Sequence, residues 1–247
     1  MERKTFLRNS LGFLGVSSLA AGCSKETTGT TDTTKETSGT TETTGTTTGS
    51  CTVTNSETEG PFPTVTPSGL VKSDIVGDRT GVGFTIILTI QDKNASCAAL
   101  AGAIVDIWHC DKDGNYSQYG GTQMQSTDYT SYTFLRGRQT TGTDGKVTFT
   151  SIFPGWYQGR ATHIHVHIYN ASGQSLLVTQ IAFPEGSDSA VVTVNSATAY
   201  GYTKGMTGYT YNANDNVFGD GVSNEMSSVS GSLSAGYTLT HTITVSA

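Results

Sequence analysis

Apolar and polar residues alternate along several short segments of this chain. The clearest case is residues 162–169, where Ile164, Val166 and Ile168 alternate with three histidines. Successive side chains of a strand point to opposite faces, so this pattern predicts a strand with an apolar core face and a histidine face. Comparable runs rich in Val, Ile and Thr predict further strands over residues 85–91, 103–109, 146–151, 175–183 and 237–245.

The connections between these runs carry turn residues such as Asp113-Gly114 and Asp144-Gly145, and convincing helical periodicity is missing beyond the N-terminal segment. We therefore predict an all-β fold, an antiparallel β-sandwich with long irregular functional loops. Residues 200–226 are rich in Gly, Asn and Tyr and exceed the length of a simple turn. This segment is expected to pack as an irregular excursion over one end of the sandwich.

The first 23 residues have the pattern of an export signal. A basic start with Arg3 and Lys4 precedes an apolar run over 11–21, which is too short to span a bilayer, and then Gly22 and Cys23. The pattern resembles a bacterial lipoprotein signal, in which the cysteine becomes the lipidated first residue. It also resembles a twin-arginine export motif with lysine in the second basic position. We expect an exported, lipid-anchored bacterial envelope protein, in the periplasm or at the cell surface.

Residues 24–50 consist almost wholly of Thr, Gly, Ser, Glu, Lys and Asp, which predicts a tether with no core of its own. Residues 51–247 are enough for one compact domain. The net charge of −6 and the absence of a basic cluster beyond the signal argue against nucleic acid or anionic membrane surfaces as partners. Membrane contact is therefore expected only through a lipid on Cys23.

If Cys23 is lipidated, three cysteines remain for the domain. Cys97 and Cys110 flank the strand predicted over 103–109 and so should lie near its opposite ends, whereas the Cα atoms of a disulfide must lie within about 7 Å. A bridge between Cys51 and Cys97 is favoured, with Cys110 free and buried. An exported compartment permits such a bridge.

Candidate chemistry is concentrated in residues 154–165, which contain Tyr157, Arg160, His163 and His165. On a strand, His163 and His165 share one face, so that one metal ion can bridge them. A phenolate oxygen is a hard anionic donor that suits a ferric ion. A polar, solvent-facing pair without a ligand role is the alternative interpretation of this spacing. His167 continues the alternation. Three interpretations of it stay open: a third ligand, a residue that supports the ligands, or a surface residue.

Four ordered pieces of the chain, over residues 58–62, 103–117, 134–145 and 154–165, together resemble the intradiol ring-cleaving dioxygenases, the catechol and protocatechuate dioxygenase superfamily. Within that superfamily, the chain resembles the shorter, exported branch. The resemblance implies a β-sandwich that holds a mononuclear, non-haem Fe(3+) ion. Its metal ligands map to Tyr116, Tyr157, His163 and His165. Tyr116 also has a plainer interpretation, as a tyrosine packed after a turn.

The resemblance further implies a small aromatic diol and O2 as substrates and a muconate-type diacid as product. In that chemistry Tyr157 and Arg160 are the catalytic residues. Tyr157 is displaced by the catechol-type substrate and accepts its proton, and Arg160 stabilises charge that develops on the ring. A surface ion pair is the competing interpretation of Arg160.

A hypothesis from a different class is a surface-displayed β-sandwich module that binds phenolic or glycan ligands and keeps only a vestigial metal site. It predicts binding without turnover. A zinc or copper hydrolase is disfavoured, because no water-activating carboxylate can be placed beside His163 and His165. The helical N-terminal extension through which dimeric catechol dioxygenases associate is missing, so we carry over no oligomeric state.

Overall fold

The computed structural model describes residues 50–247. The predicted export signal with Cys23 lies outside the described residues, and so does the predicted tether apart from Ser50. Within residues 50–247, no helix combines the length and the apolar character needed to cross a bilayer.

The described residues form two β-sheets. Their strands are β1 (Gly83–Asp92), β2 (Ala98–Ala99), β3 (Ile104–Trp108), β4 (Arg136–Thr140), β5 (Lys146–Ile152), β6 (His163–Tyr169), β7 (Ser175–Ala182), β8 (Ser228–Ser232) and β9 (Gly236–Val245). One sheet has the order β2-β1-β9-β8, with β5 also paired to β1, and the other has the order β4-β3-β6-β7. A short helix, α1 (Ala190–Asn195), follows β7.

The two sheets confirm the predicted β-sandwich, although one strand pair departs from the antiparallel expectation. Strands β1 and β9 are parallel, with Phe84 opposite Tyr237 and Asp92 opposite Val245. Parallel neighbours cannot be joined by a tight hairpin, and these two strands lie far apart in the chain, so no hairpin dictates their direction.

All six strands predicted from alternation are present, with ends shifted by one or two residues. The prediction missed β2, β4 and β8, as well as α1. Strand β4 reads Arg-Gly-Arg-Gln-Thr, and Arg136 is fully buried because Ser117 accepts hydrogen bonds from its guanidinium. A strand whose polar side chains are buried by such contacts shows no apolar alternation. Helix α1 is only six residues long, and Ser189 caps its first turn by accepting from the Val192 amide.

The core lies between the sheets and is built from the apolar faces of their strands. Ile86 and Leu88 of β1 meet Val166 and Ile168 of β6 within one continuous apolar cluster, and all four are fully buried. Each such side chain contributes roughly 1.5–3 kcal/mol on burial. Because the apolar face of β6 is committed to this core, its histidine face points outward from the sandwich, beneath the covering loops.

The predicted disulfide between Cys51 and Cys97 is formed, with the Cα atoms 5.9 Å apart, and Cys110 is free and buried, as expected. The segment that follows Cys51 then crosses from one sheet to the other. The Thr54 amide donates to Thr244 of β9, and the Glu57 amide donates to Val178 of β7. This crossing brings residues 58–62 over the histidine face of β6.

Candidate metal centre

The two histidines at the start of β6 converge on one point. Their Nε2 atoms lie 3.1 Å apart, and both side chains are buried. Nδ1 of His163 lies 2.6 Å from the Ala161 carbonyl oxygen, which can only accept, so the proton is on Nδ1 and Nε2 carries a lone pair. Burial, and secondarily positive neighbours that include Arg160, hold the pKa of both imidazoles well below the usual value.

The ring of His165 is held between two close neighbours. It stacks on the indole of Trp108 with ring centroids 4.9 Å apart and parallel planes. On another side, a Cβ at Gly60 would lie 3.0 Å from Cε1 of His165, so the backbone of the 58–62 segment approaches the ring closely. Nδ1 of His165 has no hydrogen-bond partner among the described residues. Stacking and steric contact, rather than a hydrogen bond at Nδ1, therefore fix this imidazole.

Tyr116 is the third residue at this point. Its hydroxyl oxygen lies 3.2 Å from Nε2 of His163 and 3.3 Å from Nε2 of His165. Gln125 accepts a 2.6 Å hydrogen bond from the Tyr116 amide, and Phe62 stacks on the phenol ring at 4.7 Å. The side chain is fully buried, and burial raises its pKa well above the ordinary value for tyrosine. Without a cation, this phenol is neutral.

Tyr157 approaches the same point from a separate loop. Its ring centroid is 5.8 Å from that of Tyr116 and 5.7 Å from that of His163. Gly114 lets the two tyrosine loops meet. It has φ +91°, and a Cβ there would lie 2.5 Å from the Trp156 carbonyl oxygen. Tyr157 is only half-buried, so it is the outermost of the four predicted ligands.

Arg160 is 7% exposed, and the interpretation of it as a surface ion pair is wrong. Its Nε donates to both carboxylate oxygens of Asp215 at 2.9 Å, and Nη2 donates to Oε1 of Gln180 at 2.6 Å. Its Nη1 lies 3.4 Å from the Tyr157 hydroxyl and 3.4 Å from Nε2 of His163. Burial raises the pKa of Tyr157, and the guanidinium partly offsets this effect.

His167 lies on the same face of β6 but takes no part in this convergence. Nδ1 lies 3.0 Å from Oε1 of Glu59, and Nε2 lies 2.8 Å from Oγ of Ser175. The ring also stacks on Tyr169 at 4.0 Å. Of the roles considered for it, a third metal ligand is the one that these contacts argue against.

The donor set fits a metal ion of ferric type. Separations of 3.1–3.3 Å between Tyr116 Oη and the two imidazole nitrogens match neighbouring ligands around an ion with bonds of about 2.0–2.1 Å. His163 also has the carbonyl partner on Nδ1 that is typical of ligating histidines. Two phenol oxygens and two imidazoles are harder donors than the thiolates preferred by soft ions.

A cleft of about 470 Å³ opens directly beside Tyr157 and Arg160. Its walls come from three irregular segments, and its lining consists of Thr58, Gly60, Pro61, Met124, Tyr157, Gln158, Gly159, Arg160, Asn216 and Val217. A larger groove of about 670 Å³ is lined by threonines and other residues of β1, β9 and their neighbours. Because that groove contains none of the predicted site residues, the smaller cleft is the relevant one.

Several residues that hold this site were not predicted from the sequence. Asp215 and Gln180 position Arg160, Gln125 fixes the backbone of Tyr116, and Trp108 supports His165. Asp215 and Gln180 lie far along the chain from Arg160, Trp108 lies on a strand assigned to the core, and Gln125 lies in an irregular loop nine residues from Tyr116. No local spacing marks Asp215, which sits among asparagines in the irregular segment 200–226.

Comparison with known proteins identifies relatives of this chain. The family model described as Dioxygenase matches residues 59–201. The chain is 30% identical to chlorocatechol 1,2-dioxygenase of Rhodococcus opacus over 52% of this chain and 56% of that protein. It is 29% identical to catechol 1,2-dioxygenase 1 of Acinetobacter lwoffii over 44% of this chain and 38% of that protein. The chain thus spans about half the length of these relatives.

Solved structures show the same fold. An intradiol ring-cleavage dioxygenase from Tetranychus urticae matches with a TM-score of 0.67 and 28% identity, covering 79% of this chain and 95% of that chain. The dioxygenase domain of a dioxygenase carbohydrate-binding protein fusion from Streptomyces sp. SirexAA-E matches with a TM-score of 0.55 and 26% identity, over 79% of this chain and 99% of that chain. With the family match over more than half its length, this chain belongs to the intradiol ring-cleaving dioxygenase family.

Proposed function

We propose that this protein is a non-haem ferric iron-dependent dioxygenase that cleaves a catechol-type aromatic diol with O2 to a muconate-type diacid. The observation that carries the proposal is the convergence of Tyr116, His163 and His165 within 3.3 Å of one another, with Tyr157 and Arg160 between them and an open cleft. Members of the family act on aromatic diols with O2. The assignment of ferric iron and a catechol-type substrate to this chain rests on the chain's own residues.

In the proposal Tyr116, Tyr157, His163 and His165 hold the iron. When bound, a ferric ion supplies Lewis acidity that binds the diol and prepares it for reaction with O2. The two phenol groups, once ionised, offset two of its three positive charges. Their pKa values are raised in the protein alone, so a cation is needed to ionise them.

The two tyrosines differ in a way that suits different roles. Tyr116 is fully buried beneath Phe62 and contacts both histidines, so it stays in place. Tyr157 is half-buried and lines the cleft, so moving it towards the cleft disturbs less buried packing than moving Tyr116 would. Its raised pKa makes the phenolate a strong base, which favours transfer of a proton from an incoming diol to its oxygen.

Arg160 supplies the positive charge nearest the cleft. Asp215 and Gln180 hold three of its donor contacts, and this leaves Nη1 facing Tyr157 and His163. A guanidinium fixed in this way needs no reorganisation to stabilise negative charge on the substrate ring. We therefore assign it charge stabilisation rather than proton transfer.

The N-terminal sequence bears on where the protein is located in the cell. The sequence of residues 1–23 resembles a lipoprotein export signal, so we propose an exported enzyme anchored through a lipid on Cys23. Globomycin treatment of cells expressing the protein should then accumulate the uncleaved precursor. An unaffected mature product would contradict the anchor and leave the catalytic proposal untouched.

Oxygen uptake by the iron-loaded protein with catechol tests the activity. We expect O2 consumption with formation of a diacid, and loss of at least about a hundredfold in His163→Gln and Tyr157→Phe. The matched variants His167→Gln and Tyr132→Phe change a histidine and a tyrosine outside the centre and should retain activity. Catechol binding by the iron-loaded protein without oxygen uptake would contradict the proposal and favour the binding module.

A further inference from the structure

Three carboxylates from two distant segments of the chain meet beside the segments that line the cleft. Glu57 belongs to the segment that crosses between the sheets, and Asp220 and Glu225 belong to the long segment 200–226. One carboxylate oxygen of each lies within 4.8 Å of the other two. Glu225 is fully buried, Glu57 is half-buried and Asp220 is exposed, so the cluster is open to solvent at one side and closed at its base.

The base of the cluster carries an unpartnered buried oxygen. Oε1 of Glu225 accepts a 3.3 Å hydrogen bond from Thr179, but Oε2 is buried and has no partner among the described residues. Leaving such an oxygen unsatisfied is costly. Burial, and then the charges of Glu57 and Asp220, raise the pKa of Glu225 to about 8. The carboxyl group lacks a positive partner that would stabilise its ionised form.

No basic side chain within residues 50–247 supplies that partner. None of the ion pairs there includes any of the three acids. Burial raises the pKa of Glu57 and the positive charge of Arg160 partly offsets this rise, but that guanidinium is paired with Asp215. Among residues 50–247, the only side-chain donor to Asp220 is the Asn55 amide, at 2.9 Å. Three acids thus share a site without a counter-charge.

We propose that Glu57, Asp220 and Glu225 bind a divalent cation, and that the cation is Ca²⁺. Calcium takes six to eight oxygen ligands at about 2.3–2.6 Å, so any two of its ligands lie within about 5.2 Å of each other. The three carboxylate oxygens, which all lie within 4.8 Å of one another, are compatible with such a set. Mg²⁺ is usually held through one or two carboxylates and keeps several waters, so a site with three carboxylates favours Ca²⁺. Water from the open side of the cluster completes the coordination.

The cation would join two segments that both line the cleft. Thr58, next to Glu57, lines the cleft, and its carbonyl oxygen accepts from Gln180, which also holds Arg160. Asn216 and Val217 also line it and precede Asp220 by a few residues. Calcium therefore stabilises the cleft walls without sharing a ligand with the iron centre, and this inference stands whether or not the proposed activity is found.

Thermal unfolding of the purified, iron-loaded full chain tests the proposal. After treatment with a calcium-selective chelator, the midpoint should rise by about 5–10 °C at a hundredfold excess of Ca²⁺ over its Kd. KCl at matched ionic strength should give no such rise. Equilibrium dialysis with ⁴⁵Ca²⁺ should give about one ion per chain, with the iron content unchanged.

Asp220→Asn changes an exposed side chain, so the variant should fold, and it should lose the calcium response. Glu225→Gln should lose the response as well, while unfolding at the same or a higher temperature than the calcium-free wild type, because a buried glutamine does not have to take up a proton when the protein folds. Asp188→Asn changes an exposed carboxylate outside the cluster and should keep the full response. A wild type that ignores calcium, or an Asp220→Asn variant that responds like the wild type, overturns the proposal.

Discussion

Replacing Asp215 with asparagine removes the buried negative charge that fixes Arg160. The Asp215 side chain is fully buried, and it accepts from Nε of Arg160, from the Ala161 amide at 2.8 Å and from the Val217 amide at 3.0 Å. Asparagine has one acceptor oxygen, and its amide nitrogen must face at least one of these donors. The change therefore leaves a buried guanidinium without its counter-charge and at least one donor unsatisfied.

Breaking a buried ion pair by removing one partner costs about 3–5 kcal/mol. For a domain of this size each kcal/mol shifts the midpoint by about 2–4 °C, so Asp215→Asn should unfold roughly 6–20 °C below the wild type. Urea denaturation measures the free energy of unfolding directly. The matched control is Asp78→Asn, which removes an exposed partner 2.6 Å from Arg79 and should cost less than about 1 kcal/mol.

The double variant Arg160→Gln, Asp215→Asn separates charge from shape. It carries no unpaired buried charge, so it should recover part of the stability that Asp215→Asn loses. Both variants should lose activity, because Asp215→Asn displaces the guanidinium from the cleft and the double variant lacks it. If Asp215→Asn loses no more stability than Asp78→Asn and keeps its kcat, Asp215 does not position Arg160 and the reasoning fails.

Other expectations follow from single contacts. Gly114→Ala should lose iron and at least about 2 kcal/mol more stability than Gly173→Ala, since the two glycines have similar φ values of +91° and +82° but only Gly114 faces a clash. Equal losses of stability would refute this. Removing the Cys51–Cys97 bridge should lower the free energy of unfolding by about 4 kcal/mol for a separation of 46 residues, and a change under about 1 kcal/mol would argue against it. The raised pKa of Glu225 means that the calcium-free folded state keeps a proton that the unfolded state has lost. The contribution of Glu225, measured as the difference in free energy of unfolding between the wild type and Glu225→Gln, should therefore fall as pH rises from about 4.5 through about 8, and added calcium should flatten this decline.

The sequence predicts those parts of the molecule whose cause is local. Strand β6 follows from the strict alternation of residues 162–169, and that strand alone brings His163 and His165 together. Strand β4 is missed because the environment of Arg136, supplied by Ser117, decides its burial. A pattern of side-chain polarity cannot report such a partner.

The residues of the metal centre fall into the same two groups, those predicted from the sequence and those missed. The predicted ligands lie in short segments with recognisable spacing, and the structure brings all four together. The residues that hold them, Asp215 above all, come from the irregular segment 200–226, whose course depends on tertiary packing. Its composition predicts an irregular excursion but does not reveal which of its acids meets Arg160.

The visible absorption spectrum of the purified protein, taken with an iron assay before and after anaerobic addition of catechol, tests the central claim most directly. The account predicts about one iron per chain and a red-brown tyrosinate-to-ferric charge-transfer band that shifts when catechol is added. The band should weaken and shift in Tyr116→Phe, which leaves Tyr157 as the one phenolate ligand, and should stay unchanged in Tyr132→Phe. A protein that stays colourless after ferric reconstitution would contradict the iron-tyrosinate centre.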